Sequence, residues 1–317
     1  MDLSDVKQIY LGEDEVIQIT DDQGNIMWKK ESPEPVTDLF YIKNESDQAG
    51  TLTITNGGGT LRYSTDATNW TDYDFTTHPT ISVQAGKKLY LKGAKSNPTS
   101  SPYLNFTMDV DHSIGGNIMS IVNENTFETD TYMPTCALSH LFENDTYLID
   151  ASNMNTGVVK SLDRECMNSI FKSCTSLVTP PDLSGIVRAN NDHIFSSSFE
   201  GCSSLTTPPD LSNMVSASGI YVFYKAFNGC SSLTTTPNFS NITNVGGYGF
   251  ASSFANCSSL TTAYTPKVSW DPSTMMSWLS NVAASGKVYC ANQGIYDNIT
   301  RNSASGVPSG WTKQLLS

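Results

Sequence analysis

A near-exact internal repeat limits what this chain can fold into. Four segments resemble one another: Phe171 to Leu177, Phe199 to Leu205, Phe227 to Leu233 and Phe254 to Leu260. Each reads Phe-x-x-Cys-Ser/Thr-Ser-Leu, and the phenylalanines stand 28, 28 and 27 residues apart. A worn copy, Phe142 to Leu148, precedes them by 29 residues and carries Asp145 where the others carry Cys174, Cys202, Cys230 and Cys257. A fixed period in this range marks a solenoid, in which one copy cannot bury its apolar side alone and stacked neighbours can.

The spacing inside one copy predicts local structure. An apolar residue sits four positions before each phenylalanine: Leu138, Met167, Phe195, Phe223 and Phe250. A four-residue step is one helical turn, so a short helix or helical turn is expected there. A Cys-Ser-Ser-Leu turn and a short extended piece follow. Pro180-Pro181 and Pro208-Pro209 end any strand. The expected repeat core is Phe142, Phe171, Phe199, Phe227 and Phe254, the four cysteines, and Leu177, Leu205, Leu233 and Leu260. Zinc ligands are usually spaced a few residues apart, and no such pair occurs among these cysteines. They read as small buried fillers.

The motif at this period resembles the BspA-like leucine-rich repeats of gut-bacterial surface proteins and of the phages that infect those bacteria. Gly116 to Ser120 resembles the family's lead-in, and Trp278 to Gly286 with Gly306 to Thr312 resembles its ending. The resemblance covers roughly residues 102–317. It implies a short strand per copy, turns or helices opposite, and interaction rather than catalysis.

The rest of the chain divides by pattern. Residues 1–30 read as a small β unit, with strand-like runs around Ile9–Leu11, Val16–Ile19 and Ile26–Trp28. A piece this short cannot close a core. Ile9, Leu11, Ile17, Ile19, Met27 and Trp28 are therefore expected to form an assembly anchor. The runs Lys7–Gly12 and Ile26–Trp28 resemble the N-terminal segments of gut-phage tail and fibre proteins. Residues 31–37, with Pro33 and Pro35, read as a linker. Residues 38–110 alternate with period two between Gly, Asn and Pro clusters, which predicts a β-sandwich of immunoglobulin-like type. Residues 111–264 form the repeats with their lead-in. Residues 265–317 form a C-terminal cap, in which Asp271-Pro272 is expected to open a helix carrying Met275, Trp278, Leu279 and Val282 on one face and closing at Gly286. The fold class is thus mainly β with short helices.

Charge narrows the function classes. The net charge is −13, and residues 1–37, 38–139 and 140–264 carry −6, −5 and −4 while 265–317 carry +2. An acidic chain does not offer the basic stripe that nucleic acid requires. No apolar run is long enough for a membrane span, and no leader-like run opens the sequence. Seven cysteines at repeat spacing do not describe a disulfide framework. Asp109, Asp111 and His112 lie close together but lack the ligand pattern of a calcium loop. No cofactor, metal site or catalytic motif is expected.

The leading expectation is a non-enzymatic phage virion protein, located in the particle and assembled in the host bacterial cytoplasm. Its N-terminus would dock on other virion proteins or form a homo-oligomer such as a trimer. Its repeats would meet a host-surface protein or polysaccharide. The alternatives are a bacterial cell-surface adhesin of the same fold, and a carbohydrate-binding module or glycan-active enzyme. Trp70, Tyr73, Tyr221, Tyr224 and Tyr248 are the candidate binding residues. Exposed, the first two could stack on a sugar ring; the burial that a small sandwich needs favours reading them as core.

Overall fold

The computed structural model describes residues 8–12, 15–20, 26–29, 38–55, 57–95, 103–268, 271–300 and 306–316. The chain falls into two compact units, Met1–Asp38 and Leu39–Ser317. The fold is mainly β, with a single α-helix among the described residues.

In the first unit β1 (Gln8–Gly12), β2 (Glu15–Thr20) and β3 (Ile26–Lys29) form an antiparallel sheet in the order β1-β2-β3. Ile9, Ile19 and Trp28 share one cross-strand row. The linker reading of residues 31–37, and the side chains of the six anchor residues, lie outside the described residues.

The second unit opens with eight strands: β4 (Tyr41–Asn44), β5 (Gly50–Thr55), β6 (Gly59–Ser64), β7 (Thr71–Asp72), β8 (Ile81–Val83), β9 (Lys88–Lys95), β10 (Asn105–Met108) and β11 (His112–Asn117). Three of them make a sheet in the order β10-β5-β8. The period-two pattern decides which faces are covered. Leu52, Ile54, Phe106, Met108, Ile81 and Val83 are buried on that sheet, as are Ile42, Leu61, Leu89 and Leu91 on the other strands. Asn44 is wholly buried among them. Its amide donates to Gln48 O (2.7 Å) and Val83 O (2.9 Å), and its Oδ1 accepts from Ser46 N and Ser46 Oγ. That exhausts the donors and the oxygen of one side chain and ties β4 to β8 across the two sheets.

The second sheet does not stop at residue 110. Its order is β13-β11-β4-β9-β6-β7, where β13 is Leu148–Asn155 of the first repeat. The strand β11 is antiparallel to β4 on one side and parallel to β13 on the other. Gly116 permits this close approach: its φ is +77°, and a Cβ there would lie 2.1 Å from Leu39 O. A 3-10 turn, Ile118–Ile121, follows.

Residues 134–281 are built from successive copies joined by backbone hydrogen bonds. The N–H groups of Cys136, Leu138, His140, Phe142 and Asn144 donate to carbonyls of Arg164, Cys166, Asn168, Ile170 and Lys172 in the next copy. The alternate N–H groups of Ala137, Ser139, Leu141, Glu143 and Asp145 donate three residues back within their own copy. Every fourth residue has positive φ, as at Cys136, His140 and Asn144, and at Glu165, Ser169 and Ser173. This ribbon of turns replaces the helix expected from the four-residue spacing. A helix would spend all its donors internally; here half of them tie one copy to the next. The expected helix after Asp271 is corrected in the same way. Residues 272–281 form one more ribbon, with Ser277 and Asn281 at φ +55° and +58°, while Met275, Trp278 and Leu279 are buried as expected.

Copies meet face to face in the interior. Phe142, Phe171, Phe199, Phe227 and Phe254 stack with centroids 5.6, 5.4, 5.2 and 5.1 Å apart. Phe195, Phe223 and Phe250 form a second column. Leu177, Leu205, Leu233 and Leu260 are fully buried. The four repeat cysteines are buried free thiols, and they do more than fill space. Cys174, Cys202, Cys230 and Cys257 Sγ donate to the carbonyls of Phe142, Phe171, Phe199 and Phe227 of the preceding copy, at 3.0–3.1 Å.

Short strands complete the unit. β12 (Tyr132–Met133) is parallel to β14 (Ser161–Leu162). β15 (Thr262–Tyr264), β16 (Gly286–Cys290) and β17 (Trp311–Leu315) form a parallel sheet in that order. The helix α1 (Gln293–Asn298) lies between β16 and β17 and is capped by Asn292, which accepts from Ile295 N.

Candidate functional site

The repeats build a ladder of aromatic rings in which Tyr248 is exposed and His193 and Tyr221 are half-buried. His193, Tyr221 and Tyr248 occupy one position in three consecutive copies, each two residues before Phe195, Phe223 or Phe250. All three have left-handed backbone, at φ +57°, +59° and +55°. Bonds between copies hold that conformation: His193 N donates to Ile220 O and Tyr221 N to Gly247 O, both at 3.0 Å. Gly219 and Gly246, just before the ring carriers, let the copies close up. A Cβ at Gly219 would lie 2.0 Å from Asn191 O, and one at Gly246 would lie 2.2 Å from Gly219 O.

The rings therefore stack, His193 on Tyr221 at 5.0 Å and Tyr221 on Tyr248 at 5.2 Å. Tyr224 meets Tyr221 edge-on at 5.3 Å, and Lys225 Nζ lies 5.4 Å from the Tyr224 ring and 4.0 Å from Glu200 Oε1. Tyr248 is 39 % exposed and Ile220 47 %. A ligand ring would need about 7 Å between two of these rings to touch both, twice the contact distance of carbon atoms. The ladder is too tight for that. A ligand meets ring edges, hydroxyls and the outer faces only.

The five candidate binding residues do not form one site. Tyr221, Tyr224 and Tyr248 are joined by ring contacts, and His193, which the sequence reading passed over, joins them. Its register relative to Phe195 was the available signal. Tyr73 is removed from the candidates because it is core: it is 6 % exposed, its hydroxyl donates to Ile54 O at 3.0 Å, and its ring packs edge-on against Phe75. Trp70 is half-buried, with Lys92 Nζ 4.2 Å from its ring centroid. Lys92 also lies 3.8 Å from Glu124, which pairs with Arg62.

The histidines are dispersed. His112 is buried: Nδ1 lies 3.0 Å from Val110 O, and Nε2 lies 3.1 Å from Asp145 Oδ2. Both residues are 1 % exposed, and the two facing atoms are near enough for an ion pair but off-line for a hydrogen bond. Asp145 at the cysteine position thus meets a partner from β11, joining the first copy to the sheet before it. Cys174 is nearby but wholly buried, and burial pushes its thiol well above the ordinary range. Asp109 Oδ1 accepts from Thr51 N, and among the described residues no three His, Cys, Asp or Glu side chains converge as a metal site would require. His140 pairs with Glu143 at 2.6 Å and stacks on Tyr103 at 4.6 Å.

A cavity of about 590 Å³ lies where the first sheets meet the repeats. Ala94 and Val122 line it with apolar surface over the buried Met119, and Asn123, Thr129, Asp130, Thr131 and Tyr132 with polar groups. Tyr132 is 47 % exposed. Partial burial, together with its hydrogen bond to Asp163, pushes its phenol up to about 12. Among the described residues no helix is long and apolar enough to cross a membrane. No protein-family model, curated protein or solved structure matches the chain.

Proposed function

We propose that this chain is a non-enzymatic adhesion protein of a phage particle, with residues 111–264 a BspA-like leucine-rich-repeat solenoid and residues 38–110 an immunoglobulin-like spacer. The N-terminal sheet docks into the particle, directly or as a homo-oligomer, and the repeats meet a host-surface ligand. The observation that carries the binding role is the ladder of His193, Tyr221 and Tyr248 with Tyr224 beside it. Rigid, amphipathic rings on a fixed backbone lose little entropy on binding, which is why tyrosines dominate recognition surfaces. The non-enzymatic reading rests on the dispersal of the titratable groups and on the closed, buried setting of His112 and Asp145.

Labelled full-length chain applied to a panel of gut bacterial isolates, read by flow cytometry, tests the ladder. Cells that bind the wild type are expected to lose most of the signal with the double variant Tyr221→Ser/Tyr248→Ser. Equal binding by a folded double variant would refute the assignment. Deleting residues 1–35 is expected to leave cell binding intact and to abolish incorporation into particles, measured by mass spectrometry of purified virions. A protein found only in bacterial membrane fractions would replace the virion reading with that of a cell-surface adhesin.

A further inference from the structure

The cavity beside Tyr132 is a groove open to solvent and of ligand size. Its volume, about 590 Å³, falls in the range of small-molecule sites. One wall is the end of β9 and the turn from Met119 to Asn123, clamped by Glu124 N to Gly93 O at 2.7 Å and by the Ala94–Asn123 bridge. The other is the segment from Thr129 to Pro134, tied to the next copy by Lys160 N to Thr131 O at 2.9 Å and by the Tyr132–Ser161 pairing. Both walls are thus set by backbone bonds.

The chemistry of the lining selects a ligand class. Asp130 brings a carboxylate, and none of the lining residues is basic, so an anion is repelled. One carboxylate is too few for a dedicated cation cage. An apolar ligand is disfavoured, because it would shield the Asp130 carboxylate from water without replacing its hydrogen bonds. Asp130 Oδ2 accepts from Thr126 Oγ1 at 2.8 Å, which fixes the carboxylate and leaves most of its lone-pair sites for a ligand. Tyr132 is the informative residue. Its backbone is fixed by the pairing with Ser161 and nearly half its surface is exposed on the lining of the cavity. An exposed ring on a fixed backbone, beside a carboxylate, an amide and two hydroxyls, matches a pyranose, which has an apolar face and a rim of hydroxyl groups.

We propose that this cavity binds one neutral sugar ring, free or at the end of a glycan, by stacking on Tyr132 and hydrogen bonding to Asp130 and its polar neighbours. The site shares no residue with the aromatic ladder, so either assignment can fail without the other.

Isothermal titration of the full-length chain with glucose, galactose, mannose and N-acetylglucosamine, and with glucuronate as the anionic control, tests this. At least one neutral sugar is expected to bind saturably, and glucuronate roughly tenfold or more weakly, the effect of a modest charge repulsion. Tyr132→Ala is expected to weaken the neutral sugar roughly tenfold through loss of one stacking contact, and Tyr132→Phe to retain it within about twofold. Asp130→Asn is expected to narrow the gap between neutral sugar and glucuronate, which reads the site even if Tyr132→Ala does not fold. A short oligosaccharide ending in the preferred sugar separates a terminal residue from a free one. The absence of saturable binding to any of the four neutral sugars, equal binding of glucuronate, or unchanged affinity in a folded Tyr132→Ala protein would overturn the proposal.

Discussion

The column of buried thiols makes the folded unit alkali-labile in a way that can be calculated. Cys174, Cys202, Cys230 and Cys257 are all raised above the ordinary thiol value of 9.0, in each case chiefly by burial, and Cys257 reaches about 12. In the folded state these groups stay protonated where an unfolded chain would ionise them. Their contribution is therefore complete below pH 9 and is lost as the pH climbs from 9 towards 12. At pH 10 each ionising thiol favours the unfolded chain by about 1 kcal/mol, so four together favour it by several kcal/mol. That rivals the whole stability of a typical domain. Circular dichroism under reducing conditions should show a steep loss of structure near pH 10. Cys202→Ser should move that midpoint upward relative to its own stability at pH 7, because serine does not titrate there. Thiol-reactive dye at pH 8 should label the native chain far more slowly than free cysteine. Labelling at the free-cysteine rate while the dichroism stays native would show that the thiols are accessible and the reasoning wrong.

Other perturbations test the packing. Phe227→Ala should cost about 3–5 kcal/mol in urea unfolding, because it opens the ring column between Phe199 and Phe254. Cys230→Ala should cost only about 1 kcal/mol, since Phe199 O keeps its bond from Cys202 N when the Cys230 thiol is lost. Asp145→Ala should cost about 3–5 kcal/mol, because it leaves His112 Nε2 buried beside no partner; adding His112→Phe should recover part of the loss, which a purely steric role for Asp145 would not allow.

The sequence by itself determined five of the copies and most of their interior, but not the further ribbon at residues 272–281, which carries Trp278 where the others carry phenylalanine. Each phenylalanine and leucine sees the same surroundings one period later, so burial in a stack of like units is written into the spacing. The alternation in residues 38–110 likewise identified its strands, because a half-covered sheet imposes period two. What the spacing could not decide was the backbone between Leu138 and Phe142 and its equivalents. A helix and a four-residue turn ribbon put side chains on one face at the same interval. They differ in where alternate N–H groups go, and in this chain those go to a residue about 28 positions away. Tertiary structure also decided that the second sheet crosses the expected boundary at 110/111, because β11 pairs with β4 before it in sequence and with β13 after it. The pairing of His112 with Asp145, the removal of Tyr73 to the core, and the closing of His193 onto Tyr221 have the same origin. Each depends on contacts between segments that no local pattern brings together, and only the packed chain sets their distance.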